Sequence, residues 1–331
     1  MKIGIVTPAP PGSRYGNRVT ALRYAHILRS LGHAVSIKQE YQSEPWDLLV
    51  ALHARRSHAS IIKFHHSHPS NPIVVTLTGT DLYRDLAVNR SARESMELAS
   101  RIVVLQPKAL EVLRTNLRAK ARVIFQSVTP FASSYSNRSQ ASSRGRSFDV
   151  CVIGHLRSVK DPFRAAMASR LLPGSSKIRI IQVGSAMTSS TEGRALDEIK
   201  KNSRYCWLGE QPRPRILSVL RQSRLCVLSS RMEGGANALG ESIVAGTPVL
   251  ASRISGSVGI LGESYRGYFD VGDTRKLAGL MSQAEEDPNF LSELREHCRK
   301  LATLFDPAVE AARWRALLDE LSYGVRYQKC D

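Results

Sequence analysis

The 331-residue sequence contains no run of eighteen apolar residues, which excludes a membrane-spanning helix as its organising element. Its first apolar run, residues 3–6, is short and is soon followed by Pro8, Pro10 and Pro11, so it does not read as a secretory signal; a soluble, cytoplasmic protein is expected. The five cysteines, at 151, 206, 226, 298 and 330, include no Cys-x-x-Cys pair, whereas zinc sites need closely spaced ligands. Reduced, buried thiols are expected instead. Aromatic residues make up only 6%, and the basic residues are scattered rather than run together. Both facts argue against a base-stacking nucleic-acid platform. No Asp-x-Asp occurs, so no metal bridge to a diphosphate is indicated and no cofactor is expected.

Acidic residues are scarce as well, 29 against 47 Lys and Arg, and the imbalance is uneven. Residues 1–147 hold 21 basic and 8 acidic residues, an excess of +13, whereas residues 148–331 hold 26 and 21, an excess of +5. The first half should attract an anion. Nucleic acid, an anionic membrane surface and a phosphorylated small molecule are the candidates, and the first two lack supporting motifs.

Short apolar runs rich in β-branched residues recur between amphipathic stretches at 3–6, 34–37, 48–52, 73–77, 102–105 and 123–125. A second series follows at 150–153, 178–183, 206–208, 225–228, 249–251 and 268–271. Alternating strand and helix patterns indicate parallel βαβ units, so two series predict two open parallel sheets. Residues 1–128 and 148–305 are the expected α/β domains. The Ser- and Arg-rich stretch 129–147 buries too little to form a core and reads as a linker. A helix over 306–331, with Val309, Ala312, Leu317, Leu318 and Leu321 at helical spacing, is expected to cross back to the first domain.

Three loops carry candidate chemistry. After the first strand, Gly12, Ser13, Arg14 and Arg18 border a helix start, where free N–H groups and the helix dipole favour anions. The spacing is not that of a dinucleotide fingerprint, and a plain surface turn capped by Asn17 is the competing reading. After the first strand of the second series come Gly154, His155, Arg157 and Lys160; the two cations suit a departing diphosphate and read equally as solvated surface charges. The richest segment runs from Arg231 through Glu233, Gly234, Gly235, Ala236 and Asn237 to Glu241, between a strand and a helix. Its glycines permit close backbone approach, and the two carboxylates can accept bonds from sugar hydroxyls. On spacing alone they serve as well as a dipole partner and an exposed helix residue.

Glu233 and Glu241 resemble the E-x7-E signature of the family-four retaining glycosyltransferases, and Ala245-Gly246-Thr247-Pro248-Val249 resembles the segment that follows it. The 154–160 stretch is similar to that family's donor loop, and Thr76-Leu77-Thr78-Gly79-Thr80-Asp81 to its first-domain segment near the reacting centre. The resemblance implies the GT-B fold, an α/β architecture of two Rossmann-like parallel-sheet domains facing across a cleft. It further implies that Glu241 holds ribose, that Glu233 holds the donor sugar, and that Lys160, helped by Arg157, stabilises the diphosphate. Gly154, His155 and the 234–237 backbone would complete the donor site. Gly12, Ser13, Arg18, Thr78, Gly79, Thr80 and Asp81 would line the acceptor and diphosphate side. Two positions depart from the pattern: His155 stands for an arginine, and Thr78 for a histidine.

Longer phrases, among them TPAPPGSRYGNRVTALRYA, TLTGTDLYRDL, VVLQPKAL, GHLRSVKDP and SRMEGGAN, resemble a selenosugar-forming subgroup of that family, associated with selenoneine biosynthesis. Members join selenophosphate to the sugar of UDP-GlcNAc or UDP-glucose. Such a nucleophile arrives deprotonated and needs no general base, which agrees with Thr78 in place of histidine. Another small acceptor, such as a carboxylate, a thiol or a lipid phosphate, is the alternative, and a basic nucleic-acid or membrane-surface binder is the non-enzymatic one. His65, His66 and His68 read as solvated loop residues. His53-Ala54-Arg55-Arg56, following the third strand run, reads equally as a lining of the acceptor cleft and as structure.

Overall fold

The computed structural model describes residues 1–129 and 147–327, with side chains through Ser322. Only the two ends of the expected linker fall inside these bounds; the rest of 129–147 lies outside the described residues. Contacts divide the chain into two compact units, the first comprising Met1–Ser127, Glu233–Gly235 and Asp306–Asp331, the second Val128–Met232 and Ala236–Phe305.

The first unit contains six parallel strands, β1 (Lys2–Val6), β2 (Ala34–Lys38), β3 (Leu48–Leu52), β4 (Ile73–Thr76), β5 (Arg101–Val104) and β6 (Ala121–Val123). Their order is β2-β1-β3-β4-β5-β6. A parallel sheet is covered on both faces, which is why its central strands are uninterrupted apolar runs; β3 is buried at all five positions. With a side-chain period of two, Leu49 and Ala51 enter one hydrophobic cluster while Leu48, Val50 and Leu52 enter the other. Each of these leucines and the valine, fully buried, contributes roughly 1.5–3 kcal/mol. β6 begins two residues earlier than the apolar run 123–125 predicts, because its pairing with β5 starts at Ile102 opposite Ala121.

The helix Gly16–Ser30 and the carboxyl-terminal helix Pro307–Tyr327 pack together in this unit. Trp314 is fully buried, edge-on to Tyr24 with ring centroids 4.6 Å apart, and Leu317, Leu318 and Leu321 join the same cluster. Glu320 pairs with Arg101 at 2.8 Å and Arg122 at 2.7 Å. The expected stripe needs correction. Val309 and Ala312 are exposed, and the inward face is Glu310, Trp314, Leu317, Leu318 and Leu321. Burying an indole removes far more apolar surface than burying a valine, so the helix is rotated to favour Trp314.

The second unit holds β7 (Phe148–Ile153), β8 (Ile178–Val183), β9 (Tyr205–Trp207), β10 (Leu225–Leu228), β11 (Val249–Ser252) and β12 (Tyr268–Phe269), in the order β12-β11-β10-β7-β8-β9. Two six-stranded parallel sheets flanked by helices form the α/β architecture that the alternating pattern predicts. Cys151 and Cys226 are neighbours across β7 and β10 and, like Cys298, are buried. Cys206 is exposed, contrary to expectation, because β9 is the edge strand of its sheet. Cys330 lies outside the described residues. His65 and His66 occupy the last turn of the helix His58–Ser67 rather than a loop, and the His68 ring bonds the Tyr41 hydroxyl at 3.0 Å. Among the described residues no helix is long and apolar enough to cross a membrane.

Candidate functional site

Open parallel sheets bind ligands beyond the carboxyl ends of their strands, where the strand order reverses. In the second sheet the order reverses between β7 and β10. Gly154 leaves β7 with φ +151° and Gly184 leaves β8 with φ +143°. Their loops touch so closely that a Cβ on Gly184 would stand 2.0 Å from the Gly154 carbonyl oxygen. Buried Leu156 anchors the loop, its N–H donating to the Ser185 carbonyl at 2.9 Å. His155 is fixed there too: the Ser185 N–H and hydroxyl lie 3.3 and 2.7 Å from Nδ1. An amide N–H only donates, so Nδ1 accepts and the ring proton belongs on Nε2.

The loop continues through one 3₁₀ turn, Ser158–Lys160, to Asp161 in the left-handed region at φ 46°. Ser229 Oγ donates to the carbonyls of Lys160 and Asp161 at 3.2 and 2.9 Å, and the Arg231 N–H donates to the Val159 carbonyl at 2.8 Å. These bonds tie the loop to the end of β10. The Asp161 carboxylate pairs with Arg164 at 2.8 Å and lies 3.7 Å from Arg231. Arg157 is exposed, whereas Lys160 lines a small pocket with Gly154, Gln182, Ser229 and Ser230. Gln182 is 1% exposed, and among the described residues its Oε1 has no hydrogen-bond partner. A buried carbonyl left unpaired costs roughly 1–3 kcal/mol, so its presence in a pocket wall marks a place where a donor is wanted. Sequence reasoning missed Gln182, although an amide inside the apolar run 178–183 was a signal. It also missed Ser229 and Ser230, which carry none.

The helix Asn237–Val244 starts after Ala236, which makes no side-chain cap hydrogen bond, and its positive dipole end lies where the 233–236 segment enters. Glu241, on its second turn, is largely buried and 3.8 Å from Arg213. Asn237 is half-buried in the first turn. Glu233, Gly234 and Gly235 precede the helix and group by their contacts with the first unit, whereas Glu241 belongs to the second.

In the first sheet the order reverses between β1 and β3. After β1 the chain turns at 10–13, where the Ser13 N–H and hydroxyl donate to the Pro10 carbonyl at 3.2 and 2.8 Å. Gly12, at φ +77° after Pro11, supplies the proline–glycine pattern of a type II turn. Gly12 is exposed; Ser13 and Arg18 are half-buried. The helix that follows has Tyr15 rather than Asn17 at its N-cap, and the Tyr15 side chain makes no cap hydrogen bond.

After β4, Asp81 organises the 78–81 loop. It is fully buried; Oδ1 accepts the N–H groups of Thr78 and Gly79, both at 2.9 Å, and Oδ2 accepts the Ala54 N–H at 3.1 Å. Its carboxylate therefore holds backbone from the ends of β3 and β4 and is turned away from any ligand, while Thr78 and Thr80 stay half-buried at the edge. Beside them His53 is 2% exposed, with φ +76° and Nε2 3.1 Å from Thr80 Oγ1. Burial, the largest influence, lowers the pKa of His53 below the ordinary histidine value; Asp81 and Asp85 oppose that shift, and Arg56 and Arg55 reinforce it. The imidazole is neutral at neutral pH.

The family model described as glycosyl transferases group 1 matches residues 135–304, just over half of the chain. The chain belongs to this family, and it is a glycosyltransferase. HepE of Anabaena, solved in complex with UDP and glucose, is similar over 97% of this chain and 100% of its own, with a TM-score of 0.76 at 15% identity. Sucrose-phosphate synthase of Thermosynechococcus elongatus is similar over 98% and 99%, with a TM-score of 0.77 at 15% identity. A glycosyltransferase of Rickettsia africae is similar over 97% and 98%, with a TM-score of 0.72 at 13% identity. At these identities the likeness carries the fold, and the two sheets are those of the GT-B class. No curated protein matches the chain.

Proposed function

We propose that this glycosyltransferase moves a hexose, GlcNAc or glucose, from its UDP conjugate to selenophosphate. The observation that carries the donor half is the pocket at the β7/β10 reversal, where Lys160 and a glycine-shaped loop lie together. In support, HepE, which shares the fold, was solved with UDP-glucose. In this reading Glu241 accepts bonds from ribose hydroxyls, Glu233 holds the sugar, and Lys160 and Arg157 meet the diphosphate. The selenium of selenophosphate attacks the anomeric carbon as its bond to the UDP oxygen breaks; a carbon–selenium bond forms, and UDP departs with the electron pair. Positive charge at Lys160 stabilises the oxygen as its negative charge grows.

The acceptor half rests on the +13 excess over residues 1–147 and on the sequence resemblance. An anionic nucleophile should be concentrated by that charge, and its apparent affinity should fall as salt rises. The test is mass spectrometry of products from the purified protein with UDP-GlcNAc or UDP-glucose and selenophosphate, alongside phosphate, thiophosphate and alcohol acceptors. A selenium-linked sugar formed in preference to the others is expected. Preference for an alcohol or carboxylate would remove selenophosphate and leave the UDP-sugar donor standing.

A further inference from the structure

Among the buried groups that the proposed reaction does not use, His53 has the most constrained surroundings. It is the first residue after β3, beside the reversal of the first sheet, and holds a left-handed backbone conformation at φ +76° that costs a side-chain-bearing residue energy. The Arg56 N–H lies 3.4 Å from Nδ1. That amide can only donate, so Nδ1 accepts and the ring proton sits on Nε2, facing Thr80 Oγ1 at 3.1 Å. Imidazole donates and Thr80 accepts. With one lone pair engaged, the threonine's own proton is left to point elsewhere, and among the described residues the Thr80 hydroxyl has no second partner.

We infer that His53 is a positioning residue, which holds the half-buried Thr80 hydroxyl as a hydrogen-bond donor toward an anionic oxygen of a substrate. This rests on the reading above that the 78–81 loop borders the acceptor and the leaving diphosphate. The shared chemistry is a phosphoryl-type oxygen, belonging either to the acceptor or to UDP.

The charges around the ring keep it in this role. Asp81 and Asp85 approach Nδ1 and Nε2 at 4.0 and 3.9 Å, too far to hydrogen-bond. Asp81 is engaged by three backbone N–H groups, and Asp85 by Arg55 at 2.8 Å and Arg84 at 3.2 Å. Arg55 and Arg56, on the histidine's own loop, oppose a positive ring, and burial opposes it further. An imidazolium would also set its Nδ1 proton against the Arg56 N–H. The sign follows: the donor arrangement persists at neutral pH and is lost only when the pH falls below the ordinary histidine range.

Two measurements test this. Nitrogen NMR of the wild-type imidazole should find the neutral Nε2–H form of His53 from about pH 7.5 to 6.5; an Nδ1–H form, or a charged ring at pH 7, would overturn the assignment, whatever the acceptor proves to be. The second is a double-mutant cycle on the full-length enzyme with the acceptor identified by product analysis. Thr80→Val and His53→Phe should each lower kcat/KM by about tenfold, and together by little more than either alone, because one acts through the other. His53→Gln, whose amide N–H can replace Nε2–H, should restore saturation to within about twofold and remove the acidic limb of the rate profile. A raised acceptor KM with unchanged UDP affinity assigns the oxygen to the acceptor; weakened UDP binding assigns it to the diphosphate. Losses that multiply to about a hundredfold, or a Thr80→Val enzyme unchanged in both respects, would sink the proposal.

Discussion

The loops after β4 and β7 both leave the carboxyl edge of a parallel sheet, yet they are held by different chemistry. Around Asp81 the order comes from a buried charge: one carboxylate gathers the amides of Thr78, Gly79 and Ala54. Around Gly154 it comes from bare backbone: two glycines in conformations closed to other residues let neighbouring loops touch, and serine hydroxyls and amides lock them. The Asp81 carboxylate also accepts the Thr78 hydroxyl at 3.4 Å, and it leaves the Thr80 hydroxyl to His53. The glycine-shaped loop instead places a cation, Lys160, in the wall of the pocket beside Gly154, Gln182 and Ser229. The first arrangement suits a site that offers neutral donors, the second a site that meets a doubly charged leaving group.

Four substitutions probe the contrast. Lys160→Ala should cut turnover by ~100-fold or more while UDP still binds, if its charge acts on the departing diphosphate; initial rates equal to wild type would remove it from the reaction. Gly184→Ala forces a Cβ against the Gly154 carbonyl and should destabilise the protein by ~2–3 kcal/mol in urea unfolding, with weaker UDP binding. An unaltered midpoint would mean that the close approach is not needed. Glu241→Ala should weaken UDP binding by ~2 kcal/mol, read by calorimetry, since it deletes a charged acceptor. Asp81→Asn keeps the shape but turns one acceptor into a donor facing backbone N–H groups. A stability loss of ~1–2 kcal/mol is expected, with the acceptor KM affected before UDP affinity; the reverse order would erase the distinction between the loops.

Much of this was legible in the chain. The runs 48–52, 178–183 and 225–228 became strands at those bounds, because strands buried on both faces are written as unbroken apolar stretches. The placement of Gly154, Lys160 and Glu241 at strand ends and on a helix followed from the same alternation. What was not legible depends on partners far away in sequence. The His53 and Thr80 contact exists because β3 and β4 are paired in a register that brings their ends level, which no local pattern encodes. The exposure of Cys206 follows from β9 being last in its sheet, a fact about order rather than composition. The inward face of the final helix was misread because spacing alone ranks Val309 with Leu317, whereas packing is dominated by Trp314.

That final helix sets an order of events. A chain made from its amino terminus delivers β1 to β6 before β7 to β12, yet the apolar face around Tyr24, Leu28, Val50 and Val103 is covered by Trp314, Leu317 and Leu318 from a helix that follows β12. The first sheet is thus synthesised before the second and completed after it. Throughout translation of the second unit it carries an open hydrophobic face, the kind of surface that chaperones hold and that stalled chains aggregate through.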